Sequence, residues 1–390
     1  MKLFFIIYIT LFLLGCQSTL PLEKSALNTN YALLKDDFFT TYDQIETQKQ
    51  IFALDENIKQ FIHSKLLTVR DNRKRAAKLL NFIFNNREVT LAYQSSANLT
   101  ASETFHTNKA NCLSLTIMAY ALAKEAKLDI RFQQVNIPEF WVRNKQYNML
   151  TGHVNLLLIT AKEPSKTLVY GSDSLQIDFD PYIAQKRFNK QFIDKNTVIA
   201  MFYNNKGAQA IVDEQYHTAY AYFKAAVVQK PDFSIAWSNL ALLYRINHLH
   251  LLAKETYQYA LELNNNNLTA LANYAILLTL IGEINEANKI NQLLYRKRQD
   301  NPYYQALLAD EAFYRQDYKQ AVKLYKKAIE LNHKAHEFYF GLAKTYYKLA
   351  LFNKSKRAMK KAIALNKIES VEHQYIAKLN FLNALKNAQE

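Results

Sequence analysis

Cys112, His153 and a pair of aspartates, Asp178 and Asp180, stand in the order that thiol-dependent acyl transfer requires. Leu115, Met118, Ala119 and Leu122 share one face of a helix predicted over residues 112–127, with Asn111 as its N-cap. Cys112 then falls in the first turn, where the helix dipole and unpaired amides favour a thiolate. A thiolate nucleophile needs a base to hold its proton and return it to the leaving group, and the base needs an acceptor that fixes its tautomer. His153 opens a predicted strand over 152–160, and the two aspartates lie on or just past another over 175–179. Asp178 is preferred as the acceptor because it directly ends an apolar run. Asp180, before Pro181, reads as a turn-former and stays as the alternative acid. The amide of Cys112 and a neighbouring donor near Asn111 would hold the oxyanion. Taken singly, Cys112 reads as a core thiol and His153 as a satisfied strand residue. Their joint order is what points to chemistry.

The elements that must position these side chains form a mixed region. Residues 36–86 read as helical, with an amphipathic stretch over 75–84, and further strands are predicted at 130–135 and 167–171, with a turn at 161–166. Residues 136–151, which include Pro138, Phe140, Trp141 and Tyr147, read as a loop beside the site. His106 and Asp173 lie near these blocks without an assigned role. The other histidines show no metal-ligand spacing, so neither a metal nor a cofactor is expected.

Three blocks, Thr104 to Thr116, Gly152 to Leu156 and Ile177 to Pro181, resemble the transglutaminase-like superfamily in its order of Cys, His and Asp. Asn111-Cys112-Leu113-Ser114-Leu115 is the most specific part. The resemblance covers about residues 85–195. It implies an α+β, papain-like domain in which the Cys heads a helix packed on an antiparallel sheet, the His lies at a strand start and the Asp ends a following strand. Leu113 stands where a Trp often follows the Cys in transglutaminases proper, so protein crosslinking is doubtful. Bacterial members are often peptidases or amidases, and the sequence leaves peptidase, amidase and transamidase open.

The C-terminal half is periodic. Ala241, Ala275, Ala309 and Ala343 are 34 residues apart, and one further step back reaches Gly207. Ala219, Ala253, Ala287 and Ala321 keep the same step, as do Ala226, Ala260, Ala328 and Ala362, with Leu294 interrupting the last column. Small side chains at fixed points let two antiparallel helices approach closely, and large ones such as Trp237, Tyr244 and Tyr257 fill the layers between. The pattern resembles the tetratricopeptide repeat. It implies an all-α superhelix whose concave face takes a protein or peptide partner. A rigid spacer is the bland alternative.

The N-terminus reads as an export signal. Lys2 precedes an apolar run from Leu3 to Leu14 that is too short to span a bilayer. Leu13-Leu14-Gly15-Cys16 resembles a bacterial lipobox, which implies lipidation at Cys16, and Gln17 favours the outer membrane, facing the periplasm. Cys112 is then left without a disulfide partner. Six Gly and six Pro in 390 residues imply a mostly helical chain, and aromatics at helical spacing imply packing. The formal charge of +15 suits anionic lipid or cell-wall surfaces, because export excludes nucleic acid. Lys354, Lys356, Arg357, Lys360 and Lys361 form the densest basic cluster, read as a solvated helix face.

The expected organisation is a signal segment over 1–16, a helical region over 17–84 and a transglutaminase-like domain over 85–199. Five repeats over 200–369 and a capping helix over 370–390 follow. The expected function is an envelope-anchored thiol hydrolase or acyltransferase acting on amide bonds; the alternative is an inactive scaffold for protein–protein interaction.

Overall fold

The computed structural model describes residues 30–40, 45–85, 92–94, 97–107, 109–144, 147–159, 174–180, 187–366 and 369–387. The signal segment, Cys16, the predicted strand at 167–171 and the turn at 161–166 lie outside the described residues.

Three helices open the structure: α1 (Gln48–Ile51), α2 (Glu56–Lys65) and α3 (Asn72–Asn85). The Thr47 and Asp55 side chains accept first-turn amides of α1 and α2. Two short strands, β1 (Ala92–Tyr93) and β2 (Lys109–Ala110), pair in parallel around α4 (Ala101–His106), which Thr100 and Glu103 close with a capping box. The central helix α5 (Cys112–Glu125) is apolar nearly all round, so it is buried on all sides. Arg75 on α3 donates to the carbonyls of Val69 and Ala126, fixing α3 against the end of α5.

β3 (Asp129–Asn144), β4 (Tyr147–Ile159), β5 (Ser174–Ile177) and β6 (Lys190–Ile193) form an antiparallel sheet in the order β5-β4-β3-β6. Here the loop expectation for 136–151 is corrected. β3 and β4 continue beyond the sheet body as a long two-stranded arm whose register runs Val135↔His153 and then Phe140↔Thr151. Residues 136–139 therefore bulge opposite the single residue Gly152. Pro138 cannot donate to a ladder, and a bulge is where a strand tolerates it. Because β4 starts at Tyr147, His153 lies within the strand and does not open it, a second correction.

Ten helices follow in five antiparallel pairs. They are α6 (Lys195–Val212) with α7 (Tyr216–Gln229), α8 (Ser234–Ile246) with α9 (His250–Leu263), and α10 (Leu268–Leu280) with α11 (Ile284–Arg298). The last two pairs are α12 (Pro302–Tyr314) with α13 (Tyr318–Leu331) and α14 (His336–Lys348) with α15 (Phe352–Leu365). A single helix, α16 (Glu369–Asn387), closes the array. The first pair begins five residues earlier than the spacing suggests, because Asp194 caps α6 by accepting from the Thr197 amide. The Asn264–Asn267 run is an inter-repeat turn in which Asn267 caps α10.

The periodic small residues sit where helices touch: Ala241, Ala309 and Ala343 are fully buried. At Gly341 a Cβ would come within 2.3 Å of the Tyr325 ring, which is itself held by a 2.6 Å hydrogen bond to Asp310. Gly341→Ala must displace a buried ring, and we expect a loss of about 1–3 kcal/mol in urea denaturation. A change below about 0.5 kcal/mol would show that the ring relaxes freely.

The N-terminal segment is pinned to the repeats. Phe39 stacks on Tyr220 at 4.6 Å, Tyr244 donates to the Leu33 carbonyl, and Asp36 accepts from Tyr220 and Lys224. One apolar core runs from Leu33 through α5, the sheet and the first three repeats as far as Ala287. A separate core occupies the fourth and fifth repeats and Tyr375 of α16. The β3–β4 arm touches the array near the seam between the two.

Candidate functional site

Asn111 does what its position implies: its Oδ1 accepts the Ser114 amide and caps α5. Its Nδ2 donates to Asn98 Oδ1, so the same side chain caps α5 and ties it to the segment before α4. The segment before α4 grips the same helix end, since Ser114 Oγ donates to the Ala97 carbonyl at 2.7 Å and accepts the Leu99 amide at 2.9 Å. Thr116 Oγ1 donates to the Val154 carbonyl and ties α5 to β4. These contacts fix Cys112, the half-buried first residue of α5, 4.0 Å from the Gly152 carbonyl.

The structure brings Cys112, His153 and Asp178 together. His153 is 4% exposed, and its Nε2 lies 2.8 Å from Asp178 Oδ1. The Cys112 thiol acts on the same imidazole and favours its charged form. Burial disfavours a charged ring here, but the bonds to Asp178 and Cys112 outweigh it and raise His153 to about 9 from 6.5. For Asp178, burial is likewise overcome by His153, Asn155 and the Asp180 amide, which lower the carboxyl below its usual range.

The backbone amide of Asp180 donates to Asp178 Oδ1 at 3.0 Å. It supports the acid from the turn. Asn155, which the sequence reading passed over, donates from Nδ2 to Asp178 Oδ2 at 2.9 Å. It is fully buried, and its Oδ1 has no hydrogen-bond partner among the described residues. The available signal was a polar residue two positions from His153 on the same strand face, inside the apolar run Val154 to Leu158. Asn155→Leu should return the Asp178 carboxyl toward its ordinary value and slow iodoacetamide alkylation of Cys112 about threefold or more at pH 7. An unchanged rate would assign Asn155 to packing alone.

His106 pairs with Asp55, away from Cys112, and Asp173 lies outside the described residues. Among the described residues no group of three or more His, Cys, Asp or Glu side chains is placed to hold a metal ion, and no helix is long and apolar enough to cross a membrane.

Residues 309–349 match the TPR repeat family. The helical pairs are tetratricopeptide repeats. The "Uncharacterized protein ycf37" of Cyanophora paradoxa is 35% identical over 101 residues, which is 25% of this chain and 59% of that protein. This chain thus spans less than two thirds of that relative. Among solved structures, pilF of Pseudomonas aeruginosa is 16% identical at a TM-score of 0.32, covering 50% of this chain and 88% of that one. A tetratricopeptide repeat protein from Parabacteroides merdae is 22% identical at a TM-score of 0.30, covering 49% and 75%.

Proposed function

We propose that the chain is an envelope-anchored thiol hydrolase or acyltransferase that acts on amide bonds, with tetratricopeptide repeats that recruit its protein substrate or partner. The observation that supports this reading is the contact chain from Cys112 through His153 to Asp178. In the proposed reaction the sulfur of Cys112 attacks the amide carbonyl. The carbonyl oxygen gains negative charge beside the amide of Cys112 in the first turn of α5, where the helix supplies no carbonyl one turn back. His153 gives its proton to the leaving nitrogen as the C–N bond breaks, leaving a thioester on Cys112. Water or an acceptor amine then attacks, His153 takes its proton, and the thiolate departs. Asp178 holds the ring throughout. The transglutaminase-like resemblance of residues 85–195 agrees with this chemistry.

The repeats favour a second reading, in which the chain is a protein-interaction scaffold with an idle thiol site. Acylation by an activated ester separates the two. Protein lacking residues 1–16, exposed to p-nitrophenyl acetate, should gain one acetyl group on Cys112 by intact mass, and neither Cys112→Ser nor His153→Ala should do so at a comparable rate. Labelling absent from the unsubstituted protein, or equal in His153→Ala, would leave the scaffold.

Anchoring is a proposal of the same kind. The apolar run ending at Gly15-Cys16 supports lipid attachment at Cys16 and placement on the outer membrane. Labelled palmitate should enter the full-length chain in a bacterial host and be lost in Cys16→Ser; incorporation that survives the substitution would remove Cys16 as the anchor.

A further inference from the structure

The β3–β4 arm ends on the repeat array in a contact of unusual quality. Arg298, the last residue of α11, is 4% exposed, and its Nε and Nη2 each lie 2.6 Å from an oxygen of Glu139. The guanidinium also lies over Trp141 at 5.1 Å and Tyr304 at 5.6 Å. Asn301 caps α12 with its Oδ1 while its Nδ2 donates to the Glu139 carbonyl at 2.9 Å, and Phe140 meets Tyr303 edge to face at 5.0 Å. Side chain, backbone and flanking rings of one short segment are therefore all gripped by the end of the third repeat and the start of the fourth.

That segment lies across the strand pair from the thiol site. Glu139 ends the bulge over 136–139, and the residue opposite the bulge is Gly152, whose carbonyl faces Cys112 Sγ and whose neighbour is His153. The other end of the bulge is held by the Asn136 amide, which donates to the Asn189 carbonyl. Four residues facing one leave a backbone free to take several courses unless something outside the sheet selects one. Arg298 and Asn301 are what hold its far end.

We propose that Arg298 and Asn301 are positioning residues for the thiol site, so that the repeat array sets the alignment of Gly152 and His153 with Cys112 through the Glu139 bulge. The inference rests on the thiol reading above. It explains why a site in the sheet and a partner-binding array belong to one chain: a protein seated against the third and fourth repeats bears on the same helix ends that hold the bulge. Arg suits this task because a planar fork and a ring stack both fix direction, which Lys cannot reproduce.

The test is the rate of Cys112 alkylation by iodoacetamide at pH 7, in protein lacking residues 1–16. The unsubstituted protein is compared with Arg298→Lys, Glu139→Gln and His153→Ala at a temperature where circular dichroism shows each to be folded. The expected result is a slowing of about threefold or more in both Arg298→Lys and Glu139→Gln, with the slope of rate against pH changed in the same sense as in His153→Ala. A merely structural latch would lower the melting temperature and leave the rate and its pH profile alone. If His153→Ala slows alkylation and the two latch variants do not, this inference is overturned while the thiol reading stands. If His153→Ala also has no effect, the thiol reading itself has failed.

Discussion

Arg298→Ala should cost about 2–4 kcal/mol of stability in urea denaturation, one of the largest effects of any single side chain away from the core. Breaking a fully buried ion pair costs about 3–5 kcal/mol, because the surviving charge is left without water or partner. Here the Arg298 side chain is 5% exposed but that of Glu139 is 23% exposed, so water recovers part of the loss. Two further losses act in the same direction, the stack on Trp141 and Tyr304 and the packing of the arginine stem. The seam between the two apolar cores lies beside this residue, so the substitution should also separate the unfolding of the fourth and fifth repeats from that of the rest. A change below about 0.5 kcal/mol with a single sharp transition would mean that the helix contacts across the seam carry the coupling unaided.

The second large effect is on the pH dependence of stability. His153 titrates at about 9 in the folded chain against 6.5 when unfolded, so the protonated ring stabilises the fold. That contribution is fully present below about pH 6.5 and is lost as the pH rises through about 9. Asp178 works from the other side. Its folded value is depressed below 3.8, so its contribution is present above that pH and lost on further acidification. Denaturation midpoints measured from pH 6 to 9.5 should fall steadily in the unsubstituted protein, and His153→Ala should flatten that fall. A parallel decline in both proteins would place its cause in other groups.

Much of this is legible in the sequence. The 34-residue step is a direct imprint of close packing: Ala241, Ala309 and Ala343 are fully buried because only a small side chain fits where two helices cross. Asn111 and Cys112 were legible because capping is local chemistry that one side chain and one helix turn decide. The arm was not. Pro138 and the aromatics around it suggest a loop when only the chain itself is considered, whereas β3 and β4 pair on both sides of the bulge and Arg298 grips Glu139 from 159 residues away. Asn155 was hidden for a related reason, since its partner Asp178 is brought beside it only by pairing of β4 with β5. Asp178 is preferred over Asp180 from the apolar run that it ends, and the pairing of β4 with β5 brings its carboxyl to the His153 ring.

The measurement that bears most directly on the thiol site is the rate of Cys112 alkylation by iodoacetamide as a function of pH. It should be made in protein lacking residues 1–16 and compared with His153→Ala and Asp178→Asn. A paired thiol and imidazolium predicts rapid modification that persists toward acid pH, slowed by about tenfold or more at pH 6.5 in His153→Ala and by a smaller factor in Asp178→Asn. Equal profiles in all three proteins would contradict the account and leave Cys112 a thiol that lies beside the histidine without working with it.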